Sequence, residues 1–220
     1  MKFTKDEIRK SMLLYAVTDR MWLKEGERLA AVTEEVLKNG ATFLQIREKD
    51  LDEAAFEAEA EELRSVCAKY HVPFVVNDSV EIALECGADG VHVGQSDIRG
   101  RDIRAMIGPD RILGISAGTV EEAVAAEKAG ADYIGVGAVF ATGTKKNARN
   151  LSMEKLRAIS SSVTIPVVAI GGIKEDNMAL LAGSGVDGVA VVSAIFAAKD
   201  PGAATANLLK KAKDLVKYYE

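Results

Sequence analysis

Short runs of apolar and β-branched residues alternate along the chain with longer stretches whose apolar positions recur every three or four residues. LLYAVTD (13–19) precedes a helical pattern from Glu25 to Lys38, and FLQIREK (43–49) precedes the helix-like LDEAAFEAEAEELRSVCAKY. PFVVND (73–78) leads to a short helix at 80–86, GVHVGQ (90–95) to one around 98–107, and RILGIS (111–116) to VEEAVAAEKAG. YIGVGAVF (133–140) leads to LSMEKLRAISS, PVVAIGG (166–172) to EDNMALLAG, and GVAVVSAIF (188–196) to a last helix from about Pro201. The pattern therefore predicts eight strand-helix units.

Most of these strands are apolar on both faces, as parallel strands covered by helices must be. The predicted helices stop at Asn39-Gly40, Cys86-Gly87, Ala129-Gly130 and Gly183 to Gly185, where left-handed C-caps are expected. Eight units in this length predict an α/β fold, a single (β/α)8 TIM barrel domain over 1–220 with residues 1–12 as a short helical N-terminal extension. An open doubly wound sheet is the alternative, but no G-x-G-x-x-G follows the first strand. CGADGVHVG, AGADYIGVG and SGVDGVAVV repeat a small-residue turn, an Asp and a strand, which supports one repeated architecture and carries no chemistry by itself.

The 220 residues are 48% hydrophobic, enough for a sizeable core, and the net charge of −5 argues against general affinity for nucleic acid or anionic membrane. Any anion site must be local. Cys67 and Cys86 lack metal or redox spacing and read as reduced thiols, and neither a signal-type run nor a membrane-length apolar segment is found. A soluble cytoplasmic protein is expected. The sequence does not fix the oligomeric state, and a homo-oligomer stays open.

FLQIREKD sets the chemical question. Gln45, Arg47 and Lys49 share one face of a strand that enters the core, with Ile46 and Glu48 on the other. At the C-terminal mouth of a barrel an anionic ligand would satisfy them; the alternative is an internal ion-pair network with Glu48, Asp50 or carboxylates of neighbouring strands. Asn77-Asp78 closes the third strand and Asp97 follows the fourth, so two carboxylates could share Mg2+, or could each cap a helix. The loop Thr142-Gly143-Thr144-Lys145-Lys146 offers hydroxyls and cations, as a solvated turn also would. Gly171-Gly172 and Ser193, after strands 7 and 8, sit where such barrels commonly hold a phosphate. His92 reads as a hydrogen-bonded core histidine, His71 as a helix-end residue, and Met21-Trp22 as either an apolar wall or loop packing.

YAVTDR, QIREKD, VND, GVHVGQSD, GIS, GVGAVFATGTKK, IGGI and VVSAI occur in an order and spacing that resembles thiamine phosphate synthase over nearly the whole chain. The resemblance implies a transferase of thiamine biosynthesis that couples 4-amino-2-methyl-5-hydroxymethylpyrimidine diphosphate to 4-methyl-5-(2-phosphooxyethyl)thiazole, releasing pyrophosphate. It implies pyrimidine diphosphate contacts from Gln45, Ile46, Arg47, Glu48, Lys49, Asn77, Ser116 and Lys145, with Arg47, Lys49, Lys145 and Ser116 as the catalytic set. Asp78 and Asp97 would ligate Mg2+. Thr142, Gly143, Thr144, Gly172, Val192 and Ser193 would hold the thiazole phosphate. The family loop usually reads close to PTPTK, whereas Ala141-Thr142-Gly143-Thr144-Lys145 lacks both prolines, so a larger ordering cost on binding is expected. A related thiazole tautomerase and a non-catalytic phosphate-ligand sensor are the competing functions.

Overall fold

The computed structural model describes residues 2–141 and 151–216. The chain opens with α1 (Lys5–Ser11), whose capping box pairs the side chains of Thr4 and Glu7 with each other's backbone N–H. There follow β1 (Leu14–Val17), a 3-10 turn at Arg20–Trp22, α2 (Leu29–Lys38), β2 (Phe43–Ile46), α3 (Glu53–Tyr70), β3 (Phe74–Asn77), α4 (Val80–Glu85), β4 (Gly90–Val93) and α5 (Ile103–Ile107). The second half comprises β5 (Ile112–Ala117), α6 (Val120–Lys128), β6 (Tyr133–Gly137), α7 (Met153–Ser160), β7 (Val167–Ile170), β8 (Gly188–Val191), α8 (Ser193–Phe196) and α9 (Pro201–Leu215).

Among the described residues eight parallel strands pair in sequence order and β8 returns to β1, closing the expected barrel. The period of two divides the apolar residues into two clusters. Leu14, Leu44, Ile46, Val76 and Val91 face the helices. Tyr15, Val17, Phe43, Val75, Ile112, Tyr133, Val168 and Ala190 fill the barrel interior, and Phe3, Ile8 and Met12 join them from the N-terminal segment, so α1 plugs the end opposite the mouth. At the centre, Tyr15, Phe43 and Tyr133 pack with ring centroids 4.4 to 5.8 Å apart. Gly114 makes this possible: a Cβ there would lie 2.2 Å from Cζ of Tyr133.

The repeated Asp has a structural meaning. Asp89, Asp132 and Asp187 each accept a hydrogen bond from a backbone N–H at the start of the preceding strand, from the first residue at Phe74 and Val167 and the second at Leu113, with distances of 2.8 to 3.0 Å. Their own N–H groups bond back to the carbonyls of the same three residues. Thr42 serves β1 in the same manner, its hydroxyl accepting from Leu14 N at 2.8 Å. Every second strand thus ties down the start of its neighbour, and Lys2, Arg104 and Arg9 neutralise the three carboxylates in turn.

Several elements are shorter than the sequence suggests. The strand expected at 188–196 stops at Val191 and turns into α8, so Ser193 is a helix residue rather than a strand residue. The helix expected in EDNMALLAG is one 3-10 turn, Met178–Leu181. Asn177 explains this: its side chain accepts from Lys174 N and donates to Gly172 O, both at 2.8 Å, locking a turn where a helix would have to start. The helix expected at 98–107 covers only α5, capped by Asp102. The glycine stops are as expected, with positive φ at Gly40, Gly87, Gly130, Gly183 and Gly185, and His71 ends α3 at φ 54°.

Candidate active site

β2 ends at Ile46, and the alternation along it continues into the loop. Gln45 is buried in the barrel, while Ile46 and Glu48 turn toward the helices, which leaves those two only main-chain contact with anything in the mouth. Arg47 and Lys49 emerge at the mouth. The Arg47 N–H donates to Thr18 Oγ1 at 3.0 Å, stitching the ends of β1 and β2 together, and among the described residues its guanidinium has no carboxylate partner. Lys49 donates to Asp78 Oδ2 at 2.6 Å. An internal ion pair with a neighbouring strand is therefore realised for Lys49 and not for Arg47.

Asp78 is not a helix cap, since Ser79 caps α4. It sits at φ 64°, a left-handed conformation unusual for a non-glycine residue, at the turn directly after Asn77. Burial pushes its carboxyl up, but the Lys49 ammonium, with a lesser contribution from the Asn77 side chain, outweighs it and holds the group below its ordinary range. Asp97 is no cap either: its Oδ2 accepts from Gly94 N at 2.8 Å within the GQSD turn. The two carboxylates thus meet at the ends of adjacent strands, though among the described residues no group of three His, Cys, Asp or Glu side chains gathers.

Below these charges runs a hydrogen-bonded chain that sequence reasoning missed as a unit. Gln45 Nε2 donates to Tyr15 Oη at 2.5 Å, Tyr15 Oη lies 2.8 Å from Tyr133 Oη, Tyr133 Oη 3.0 Å from His92 Nδ1, and His92 Nε2 2.9 Å from Ser116 Oγ. The amide nitrogen donates to Tyr15, and beyond it each phenol, the imidazole and the Ser116 hydroxyl can both donate and accept along the chain. Ser116 ends the chain, its hydroxyl able to donate to or accept from a ligand. Burial keeps both tyrosines well above their ordinary range, and the chain stays phenolic. His92 is hydrogen-bonded as expected, and it lies within the site. The missed signal was parity: Tyr15, Gln45, His92, Ser116 and Tyr133 all occupy inward positions of their strands.

Across the mouth, Gly171 and Gly172 follow β7 with φ of 101° and 66°. A Cβ on Gly172 would meet the Ala141 carbonyl oxygen at 2.4 Å, so the turn after β7 is fitted against the chain leaving β6. Val192 and Ser193 stand at the start of α8, beside the turn Arg20–Trp22. Met21 and Trp22 are exposed. Thr142, Gly143, Thr144 and Lys145 lie outside the described residues. Gln45, Arg47, Lys49, Asn77, Asp78, Asp97, Ser116, Gly172, Val192 and Ser193 are all brought to one end of the barrel. A cleft lined by Lys2, Phe3, Asp89 and Arg111 lies at the other end and holds none of them.

Such a mouth can grip phosphate groups on two sides and seat a polar ring between them. Comparison with known proteins gives the same direction. The family model described as thiamine monophosphate synthase matches residues 14–195. A thiamine-phosphate synthase of Ruminiclostridium cellulolyticum is 47% identical over 90% of this chain and 93% of its own length, and one of Methanobrevibacter smithii is 46% identical over 91% and 95%. The solved thiamine phosphate pyrophosphorylase of Pyrococcus furiosus superposes with a TM-score of 0.86 at 40% identity, covering 94% of this chain and 98% of that one.

Proposed function

Because the chain belongs to the thiamine monophosphate synthase family, we propose that Arg47 and Lys49 receive the departing diphosphate while Gln45, Asn77 and Ser116 hold the pyrimidine. The activity is that of a thiamine-phosphate synthase, a transferase that couples 4-amino-2-methyl-5-hydroxymethylpyrimidine diphosphate to 4-methyl-5-(2-phosphooxyethyl)thiazole to give thiamine monophosphate and pyrophosphate. The observation that carries the mechanism is the Arg47 guanidinium, without a carboxylate partner among the described residues, beside the Lys49–Asp78 pair at the mouth.

Charge grows on the diphosphate as its C–O bond breaks, and two cations already held at the strand ends stabilise that growth without reorganising. Asp78 and Asp97 suit Mg2+, which takes one or two protein carboxylates and fills its remaining positions with water and phosphate oxygens. When bound there, Mg2+ supplies Lewis-acid neutralisation of the leaving group. The amino-pyrimidine delocalises the methylene cation left behind, so no protein nucleophile is required. Ser116 hydrogen-bonds the ring, and the buried chain behind it holds its hydroxyl in place. Gly172, Val192 and Ser193 hold the thiazole phosphate, which aligns the thiazole nitrogen with the cation. Thr142, Gly143 and Thr144 join that grip, and Lys145 the diphosphate, on family resemblance alone.

The chain is further taken as one domain acting in the cytoplasm on small phosphorylated substrates; no helix among the described residues is long and apolar enough to cross a membrane. A two-substrate assay with and without Mg2+ tests the mechanism. Thiamine monophosphate and pyrophosphate should form in equal amounts, only with both substrates and the metal. Turnover of the thiazole alone to a tautomer would overturn it.

A further inference from the structure

Behind the mouth, on the helix side of β2, three charged side chains meet with incomplete pairing. Arg20 Nη1 lies 3.9 Å from both Glu48 Oε2 and Glu59 Oε2, and the Glu48 side chain is only 2% exposed. Arg20 Nη1, Glu48 Oε1 and Glu59 Oε2 are buried without a hydrogen-bond partner. One guanidinium cannot neutralise two buried carboxylates, so the cluster carries an excess negative charge unless it also holds a proton. Glu48 is the residue between Arg47 and Lys49, and Arg20 follows Thr18, whose hydroxyl accepts the Arg47 N–H.

We propose that Arg20, Glu48 and Glu59 form a buried clamp that fixes the Arg47–Lys49 segment for the diphosphate, which makes Glu48 a positioning residue for the reaction. The proposal rests on the assignment of Arg47 and Lys49 to the diphosphate. Geometry supplies the link: Arg20, in the turn after β1, lies 3.9 Å from both Glu48 and Glu59 of α3, so the Glu48 side chain is seated between two elements while its backbone carries the cations on either side. Burial and the facing Glu59 carboxylate push the Glu48 carboxyl up to about 7, Arg20 opposes this, and Asp19 adds to it. As pH rises past neutrality Glu48 gives up its proton, its charge repels the facing Glu59 carboxylate, and the clamp loosens.

The test is steady-state kinetics in each substrate from mildly acidic to mildly alkaline pH, on the native enzyme, Glu48→Ala, Glu59→Gln and Arg47→Ala. Glu48→Ala should raise KM for the pyrimidine diphosphate roughly tenfold and leave KM for the thiazole phosphate within about twofold. In the native enzyme the pyrimidine KM should climb as pH passes neutrality; Glu59→Gln, which leaves Glu48 a simple ion pair with Arg20, should flatten that climb. Equal effects of Glu48→Ala on both KM values, or none, overturn the clamp. If Glu48→Ala does not fold, superimposable pH profiles of the native enzyme and Glu59→Gln overturn it instead. Arg47→Ala keeps the two ideas apart: an unchanged pyrimidine KM there removes the diphosphate assignment itself, whereas a raised one beside a silent Glu48→Ala removes only the clamp.

Discussion

Tyr133→Phe is the sharpest perturbation of the buried chain, because it deletes one oxygen and keeps the ring. The ring contacts with Tyr15, Phe43 and His92, at centroid distances of 5.8, 5.5 and 5.5 Å, should survive, so no cavity term enters. What is lost is the hydrogen-bond partner of the Tyr15 hydroxyl at 2.8 Å and of His92 Nδ1 at 3.0 Å, both inside a closed barrel. Tyr15 still accepts from Gln45, and His92 still meets Ser116, so neither group is wholly orphaned. Two half-satisfied polar groups should cost about 1–2 kcal/mol, a fall in Tm of roughly 3–6 °C for a domain of this size. Calorimetry or circular dichroism reads that directly. Because His92 loses one of its two anchors, Ser116 should also be held less firmly, raising KM for the pyrimidine diphosphate and not for the thiazole phosphate. A Tm unchanged or raised would show that the chain does not stabilise the barrel, and unchanged kinetics that it does not orient Ser116.

Gly172→Ala should cost roughly 2 kcal/mol or more, since the new Cβ meets the Ala141 carbonyl oxygen at 2.4 Å at φ 66°; urea unfolding and the thiazole phosphate KM should both shift. Asp187→Ala strands the Val167 N–H and the Arg9 guanidinium, and about 3 kcal/mol of stability should disappear in urea titration with KM values little changed. Glu48 gives a pH signature with a definite sign. Its carboxyl, raised from 4.5 to about 7, binds a proton more tightly folded than unfolded, so its contribution is complete at acidic pH and is lost as pH rises toward 7. Unfolding free energies measured across that window should fall by at most about 3 kcal/mol from this group, and Glu59→Gln should reduce the slope to the part that burial alone produces.

The barrel was legible because its two periodicities are written plainly: strands apolar on both faces, helices apolar on one, glycines at the stops. The inward parity of Gln45, Arg47 and Lys49 was readable from FLQIREKD for the same reason. Element ends were harder, because side chains decide them locally. Asn177 turns EDNMALLAG into a 3-10 turn with two side-chain bonds, and the loop from Val192 starts a helix where apolar composition suggested more strand. The Tyr15–Tyr133–His92 chain and the Arg20–Glu48–Glu59 clamp were not legible as units, although inward parity and an ion pair at Glu48 could be read one residue at a time. Each joins residues from three elements, and only barrel closure and helix docking bring their polar atoms within reach. The repeated Asp of the three GVD-like and GAD-like turns was visible as a pattern, yet its function as acceptor for an N–H at the start of the neighbouring strand needed the register.

The most direct test is a crystal structure with pyrophosphate, thiamine monophosphate and Mn2+ in place of Mg2+, with the metal located by anomalous scattering. The metal peak should fall between the carboxylates of Asp78 and Asp97, with pyrophosphate against Arg47 and Lys49 and the organic product's phosphate at Gly172 and Ser193. Pyrophosphate bound on the Gly172 side, or a metal peak remote from both carboxylates, would contradict the proposed mechanism.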